Sequence, residues 1–148
     1  MDFLTKQRRS SLMSRIRSQG NAATELRFIR LLKNFGITDW RRHSNRLIGK
    51  PDFVFLKFRL VVFVDGCFWH GCPRCYTEPK SNRAFWRHKI AANRKRAVSI
   101  KRELRKSGWR VLRIWQQELK RKDEFRLLAR LKRAMIRSGT LAAVASSR

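Results

Sequence analysis

The sequence predicts an α/β domain in which a mixed central sheet is flanked by helices. Three observations point there. Residues 52–56 and 60–65 are almost entirely Val, Phe and Leu, the composition of strands buried on both faces. Segments of helical periodicity precede and follow them, and the order helix, helix, strands, helix, strand, helix suits a sheet covered by helices. At 148 residues and 43% apolar content, the chain is long enough for one such core and too apolar for wholesale disorder.

A basic helix over 5–18 comes first, with Leu12, Met13 and Ile16 its apolar minority, and Gln19-Gly20-Asn21 is expected to break it. A second helix over 22–34 stops at Gly36. Its inward face reads Glu25, Phe28, Ile29, Leu32 and Phe35 at helical spacing, so Glu25 lies one turn before the core residues. Residues 38–48 are basic and weakly patterned, which suits one extended strand and a loop. Gly49-Lys50-Pro51 restricts how the chain begins the first buried strand, since a residue before proline favours extended backbone. Ser81 is placed to cap a long helix over 82–106. There Trp86, Ile90, Asn93, Ala97, Ile100 and Leu104 recur at steps of three and four and form one packed stripe. Ser107-Gly108 ends it, and 109–115 is the third core strand. A last helix over 122–137 turns Phe125, Leu128, Leu131 and Met135 inward, and a small, polar tail is expected to fray.

The formal charge is +27, from 37 Lys and Arg against 10 acids. Such a chain repels itself unless it lies beside a polyanion. Nucleic acid is the leading partner, because neutralising phosphates releases counterions; an anionic membrane surface is second. No apolar run approaches membrane-spanning length, and Met1-Asp-Phe-Leu-Thr-Lys lacks a secretory apolar region, so a cytoplasmic, nucleoid-associated protein is expected. Three cysteines packed between positions 67 and 75 suit a metal clip better than a disulfide framework. Composition alone leaves an RNA-binding protein open.

The motifs narrow the field. Asp52 opens one strand and Asp65 closes its neighbour, so in an antiparallel pair the two carboxylates lie at one end. Such a carboxylate can hold Mg²⁺ while the ion keeps waters for phosphate chemistry. His70, five residues on, can activate a water near neutral pH. The alternative is that both aspartates cap strands and His70 packs in a loop. Cys72-Pro-Arg-Cys75 has zinc-knuckle spacing, with Cys67 a third soft ligand; a plain thiol-lined loop is the competing reading. Phe68-Trp69 follow at once, and adjacent side chains of an extended segment point oppositely, so one is expected outward.

Gly49-x-Pro-Asp-Phe-Val, Asp65-Gly-Cys-Phe-Trp-His70, Pro79-Lys-Ser-Asn82, Phe85-Trp86 and Gly108-Trp-Arg-Val-Leu together resemble the very-short-patch-repair (Vsr-type) DNA mismatch endonucleases, across residues 13–119. The resemblance implies a restriction-endonuclease-like core over 21–139, a basic DNA-contacting helix over 1–20 and a tail over 140–148. It implies Mg²⁺ on Asp52 and the Val64 backbone carbonyl, Asp65 beside the scissile phosphate, His70 as general base and Glu25 supporting the metal-bound waters. It also implies that Phe68, Trp69 and Met13 enter the base stack, with Arg15, Arg17, Lys50 and Asn93 among the DNA contacts. A mismatch is already less stable, which lowers the cost of unstacking. The substrate implied is double-stranded DNA with a G:T mismatch, nicked on one strand by a monomer. General mismatch-repair proteins are candidate partners.

This sequence departs from that pattern twice. The family usually reads Asn-x-x-Arg-Asp in the long helix, where this chain has Asn93-Arg-Lys-Arg-Ala97. Ala97 cannot orient His70, a loss worth on the order of 10⁴-fold in the serine-protease triad. Related proteins also complete a zinc site with a cysteine where this chain has Gln117. Water, His43, His88 or His70 are the remaining candidates for that fourth position. A catalytically inactive DNA-binding protein, a homing-type site-specific endonuclease and a basic RNA-binding protein therefore stand as alternatives.

Overall fold

The computed structural model describes residues 5–146; the side chains of residues 9, 12–23 and 137–146 fall outside that description. The parts expected of the Met13, Arg15 and Arg17 side chains therefore lie outside the described residues. A first helix, α1 (Lys6–Asn34), is capped by Thr5, whose Oγ1 accepts the Arg8 N–H at 3.3 Å. It runs unbroken through Gln19-Gly20-Asn21, where the sequence suggested a stop. One interior glycine costs a helix only about 1 kcal/mol relative to alanine, and the flanking turns carry the chain across it. Phe35 and Gly36 then close α1, with Gly36 at φ 65° and its N–H donating to the Lys33 carbonyl.

Four strands follow in spatial order β1 (Arg41–Arg42), β2 (Phe53–Phe55), β3 (Leu60–Asp65) and β4 (Arg110–Trp115). The first two pairings are antiparallel and β3 runs parallel to β4, so the sheet is mixed as expected. The parallel pair requires a crossover, supplied by α2 (Arg83–Lys106). The residue before α2 is Asn82, at φ 54° with no side-chain cap bond, so Ser81 does not serve as its cap. The last helix, α3 (Glu124–Ser146), runs past 137 because Leu-Ala-Ala-Val-Ala favours continuation.

Strand alternation decides which residues meet which helices. Phe53, Phe55, Leu60, Val62 and Val64 point to one face and join Phe28, Leu32 and Leu131 in the larger core. Val54, Val61 and Phe63 point to the other, where they pack with Leu104 and Ile100 of α2. By the same alternation Asp65 belongs to the α2 face, as does Asp52 ahead of β2. β4 is less buried than expected: as an edge strand with arginines at 110 and 113, it buries only Ile114 fully. On α3 the buried stripe is Leu127, Leu128 and Leu131, whereas Phe125 is 74% exposed. It lies in the first helical turn, touching Phe35 at 6.0 Å between ring centroids.

Phe53 is wholly buried, edge-on to Phe28 at 4.9 Å and Trp40 at 5.6 Å. Phe53→Ala removes that junction between α1 and the sheet and should destabilise the domain by about 3–5 kcal/mol in urea denaturation. A loss below about 1 kcal/mol would show that the junction is not a core contact.

Candidate active site

The β2–β3 register pairs Phe53 with Val62, so Asp52 sits across from Phe63, two residues short of Asp65. Asp52 Oδ2 accepts the Val64 N–H at 2.7 Å, taking the place of a ladder partner. A strand residue presents its N–H and C=O on the same side, so the Val64 carbonyl also faces the Asp52 edge. Glu25, 5% exposed, approaches from α1, its Oε2 accepting from Arg42 Nη2 at 2.7 Å and lying 2.9 Å from His43 Nε2. Burial is the largest influence on Asp52 and raises its carboxyl to about 7; the Val64 bond opposes this, and the nearby Glu25 adds to it. Two carboxylates and an imidazole thus offer donor atoms within 4.8 Å of one another: Glu25, His43 and Asp52. Hard oxygen donors with too little counter-charge fit a divalent cation.

Asp65 is buried and held by Arg113, whose Nη1 donates to its two oxygens at 2.9 and 2.7 Å. The β3–β4 register sets Arg113 beside Phe63, and the guanidinium lies 4.5 Å over that ring. His70 Nε2 is 3.6 Å from Asp65 Oδ1, beyond a good hydrogen bond, while its Nδ1 is buried with no partner. Burial lowers the imidazole pKa from its ordinary value; Asp65 opposes this and Arg113 adds to it, so His70 is neutral near pH 7. Ala97 lines the cavity of ≈ 300 Å³ that holds Asp52, Asp65, His70 and Asn93, and also the neighbouring cavity of ≈ 460 Å³ beside His70. Ala97 and His70 thus line the same two cavities, and the Ala97 methyl offers no hydrogen-bond partner to anything in them.

The segment from Gly66 to Cys75 is a series of turns rather than an extended strand. Adjacent side chains then need not alternate: Phe68 and Trp69 are both half-buried, and both pack against Trp86 at 5.1 and 5.9 Å. The expectation that one ring projects alone is replaced by an aromatic cluster that also takes in Tyr76 and Phe85, the latter 60% exposed. Neighbouring α2 residues fix the turn through its carbonyls. Asn93 Nδ2 donates to Trp69 O at 2.8 Å, and Arg94 donates to His70 O at 3.1 Å and Gly71 O at 2.5 Å. Gly71 has φ 61°, and a Cβ there would come within 2.5 Å of Arg94. Upstream, Lys50 is exposed at φ 48°, on the left-handed side rather than the extended conformation expected before Pro51. Its N–H closes a turn onto Leu47 O, and a Cβ on Gly49 would meet Ile100 at 2.5 Å.

The three thiols converge as well. Cys67, Cys72 and Cys75 have sulfurs within 4.8 Å of one another and form no disulfide. Gln117 Nε2 donates to Cys72 Sγ at 3.3 Å, so position 117 does reach the cluster. Among the proposed fourth ligands, His43 belongs instead to the Glu25 group and His70 to Asp65. His88 is exposed and outside the thiol group.

Residues 1–77 match the family model described as DNA mismatch endonuclease Vsr. The chain belongs to the Vsr family. Among its relatives, the type II nicking enzyme V.XorIIP of Xanthomonas oryzae is 44% identical over 120 residues, 80% of this chain and 86% of that protein. The type II nicking enzyme V.NmeAIP of Neisseria meningitidis is 38% identical over 123 residues, 82% and 86% of the two chains. The DNA mismatch endonuclease Vsr of Escherichia coli is 35% identical over 125 residues, 83% and 78%. Membership places this Vsr chain among the DNA endonucleases. Arg113, one among 37 Lys and Arg, escaped sequence reasoning, and His43 was considered only as a zinc ligand, not as a neighbour of Glu25 and Asp52.

Because the Asp52 carboxyl is raised, the folded protein holds that proton more tightly than the unfolded chain. Its stabilising contribution is full below about pH 4 and is lost as pH rises through about 7. Asp52→Asn cannot ionise and should flatten that decline. Urea denaturation in chelator at about pH 5 and about pH 8 checks this; equal pH slopes for both proteins would contradict it.

Proposed function

We propose that this protein is a metal-dependent DNA endonuclease that nicks one strand at a G:T mismatch. The observation that carries the reading is the convergence of Asp52, Asp65 and His70 on one cavity beside the aromatic cluster. Mg²⁺ would be held by Asp52 and the Val64 carbonyl, with Glu25 on its waters. Bound there, the ion would neutralise charge developing on the phosphate and lower the pKa of a bound water. His70, neutral near pH 7, accepts a proton from the attacking water through Nε2, the nitrogen not sealed into the protein. Arg113 pins Asp65 at the cavity wall, and Asn93 and Arg94 hold the turn that presents the imidazole.

Phe68, Trp69 and the more exposed Phe85 supply rings for a disturbed base stack. Cations of α2 such as Lys89 and Arg96, at the cavity mouth, and Lys50 nearby meet phosphates, which positions the duplex without reading sequence. Zn²⁺ fits the three thiols as a structural ion, with water in the fourth position and Gln117 donating its amide N–H to Cys72. The protein acts as a monomer in the cytoplasm, at the nucleoid, with general mismatch-repair proteins as candidate partners.

A second reading, that of a silent DNA binder, is favoured by one observation: His70 Nδ1 has no partner where Ala97 lines the cavity. Nicking of a G:T-mismatched duplex with Mg²⁺ separates the two. The enzyme reading expects a nick that Asp52→Asn eliminates and His70→Ala slows by on the order of 10²–10⁴-fold. Tight binding with no nick supports the binder.

Ala97→Asp supplies the missing acceptor and should raise the single-turnover rate by on the order of tenfold or more. An unchanged rate would remove position 97 from the mechanism. Gln117→Cys should tighten zinc retention against a competing chelator by at least about tenfold, whereas equal retention would place the ion elsewhere.

A further inference from the structure

We infer that His43 is a further donor of the metal site, joining Asp52 and the Val64 carbonyl beside Glu25, and that it biases the site toward Mn²⁺ over Mg²⁺. The inference rests on the nuclease reading of Asp52 and concerns which ion that site selects.

His43 follows β1 and comes to the site by main-chain pairing, its N–H donating to Asp52 O at 3.2 Å. Extending the β1–β2 register, in which Arg42 faces Phe53, sets His43 opposite Asp52. At that point its backbone turns to φ 48°, a left-handed conformation uncommon outside glycine that histidine tolerates better than most residues. The turn brings Nε2 to 2.9 Å from Glu25 Oε2, and the donor atoms of all three residues lie within 4.8 Å of one another. The His43 side chain is 56% exposed, so core packing does not account for its placement. Glu25 already has a cation, since Arg42 Nη2 lies 2.7 Å from the same oxygen. A second cationic partner is not needed there, whereas the imidazole offers a nitrogen ligand atom that Arg42 cannot.

Two carboxylates and one imidazole are a mixed donor set. Mg²⁺ prefers oxygen ligands, strict octahedral geometry and its own waters, while Mn²⁺, a larger and softer transition-metal ion, shares its preference for carboxylates but tolerates a nitrogen ligand better. The imidazole thus raises selectivity without displacing Asp52 as the anchor.

Mn²⁺ binding to the DNA-free full-length protein, read by loss of the free-ion electron paramagnetic resonance signal and repeated with Mg²⁺ as competitor, tests this. His43→Gln should weaken Mn²⁺ by on the order of tenfold or more while changing Mg²⁺ less than about threefold. Unchanged Mn²⁺ affinity would overturn the donor role. So would equal losses for both ions, which would mark His43 as a brace for Glu25. Wild-type protein gives an independent readout: electron spin echo modulation from a Mn²⁺-bound imidazole nitrogen is expected, and its absence overturns the inference even if His43→Gln folds poorly. Asp52→Asn should abolish binding of both ions. Retained binding there would instead sink the nuclease reading of Asp52.

Discussion

Asp52 gives up water to accept the Val64 N–H, and the arrangement of the site follows from that bond. It substitutes a side chain for the next rung of the β2–β3 ladder, so the carboxylate is tied to the strand end that carries Asp65. Burial and the proximity of Glu25 leave it reluctant to ionise, a state that costs the isolated fold but suits a cation. Val64, a member of the larger core, thereby links the sheet's packing to the chemistry at its edge. Sites of this kind commonly trade local stability for function.

A second layer holds the reactive side chains. Arg113, from the edge strand, spends its guanidinium on Asp65 and the face of Phe63 rather than on solvent. Asn93 and Arg94, one turn before Ala97, bind the carbonyls of the turn that carries Trp69, His70 and Gly71. One helix therefore orients the aromatic cluster and the imidazole together. In a chain of charge +27, these two arginines, each bonded within the protein, show that not every cation is reserved for a polyanion.

Much of this was legible from residue order. Asp52 opens one strand and Asp65 closes the next, so an antiparallel pairing of those strands was enough to bring both to one sheet end, and that is the pairing found. The α2 stripe, with its steps of three and four, set Ala97 on the face that lines the His70 cavity, whereas the place of Gln117 beside Cys72 followed from the family resemblance and not from residue order. What failed was local and contextual. Gly20 did not stop α1, because a single glycine is a weak penalty against a long helix. Phe68 and Trp69 lie in turns, where alternation has no force, so both rings meet Trp86. Arg113 and His43 acquire meaning only through partners distant in sequence, Asp65 and Glu25, and no periodicity announces such pairs.

The central claim is that a divalent cation sits on the Asp52 edge, within reach of a phosphate and the His70 imidazole. Anomalous diffraction from crystals grown with Mn²⁺ and a mismatched duplex tests it most directly. The account predicts a peak at coordination distance from the Asp52 carboxylate and the Val64 carbonyl, with a DNA phosphate oxygen as a further ligand. A peak confined to the three thiols, or a phosphate bound on a face away from His70, would contradict it.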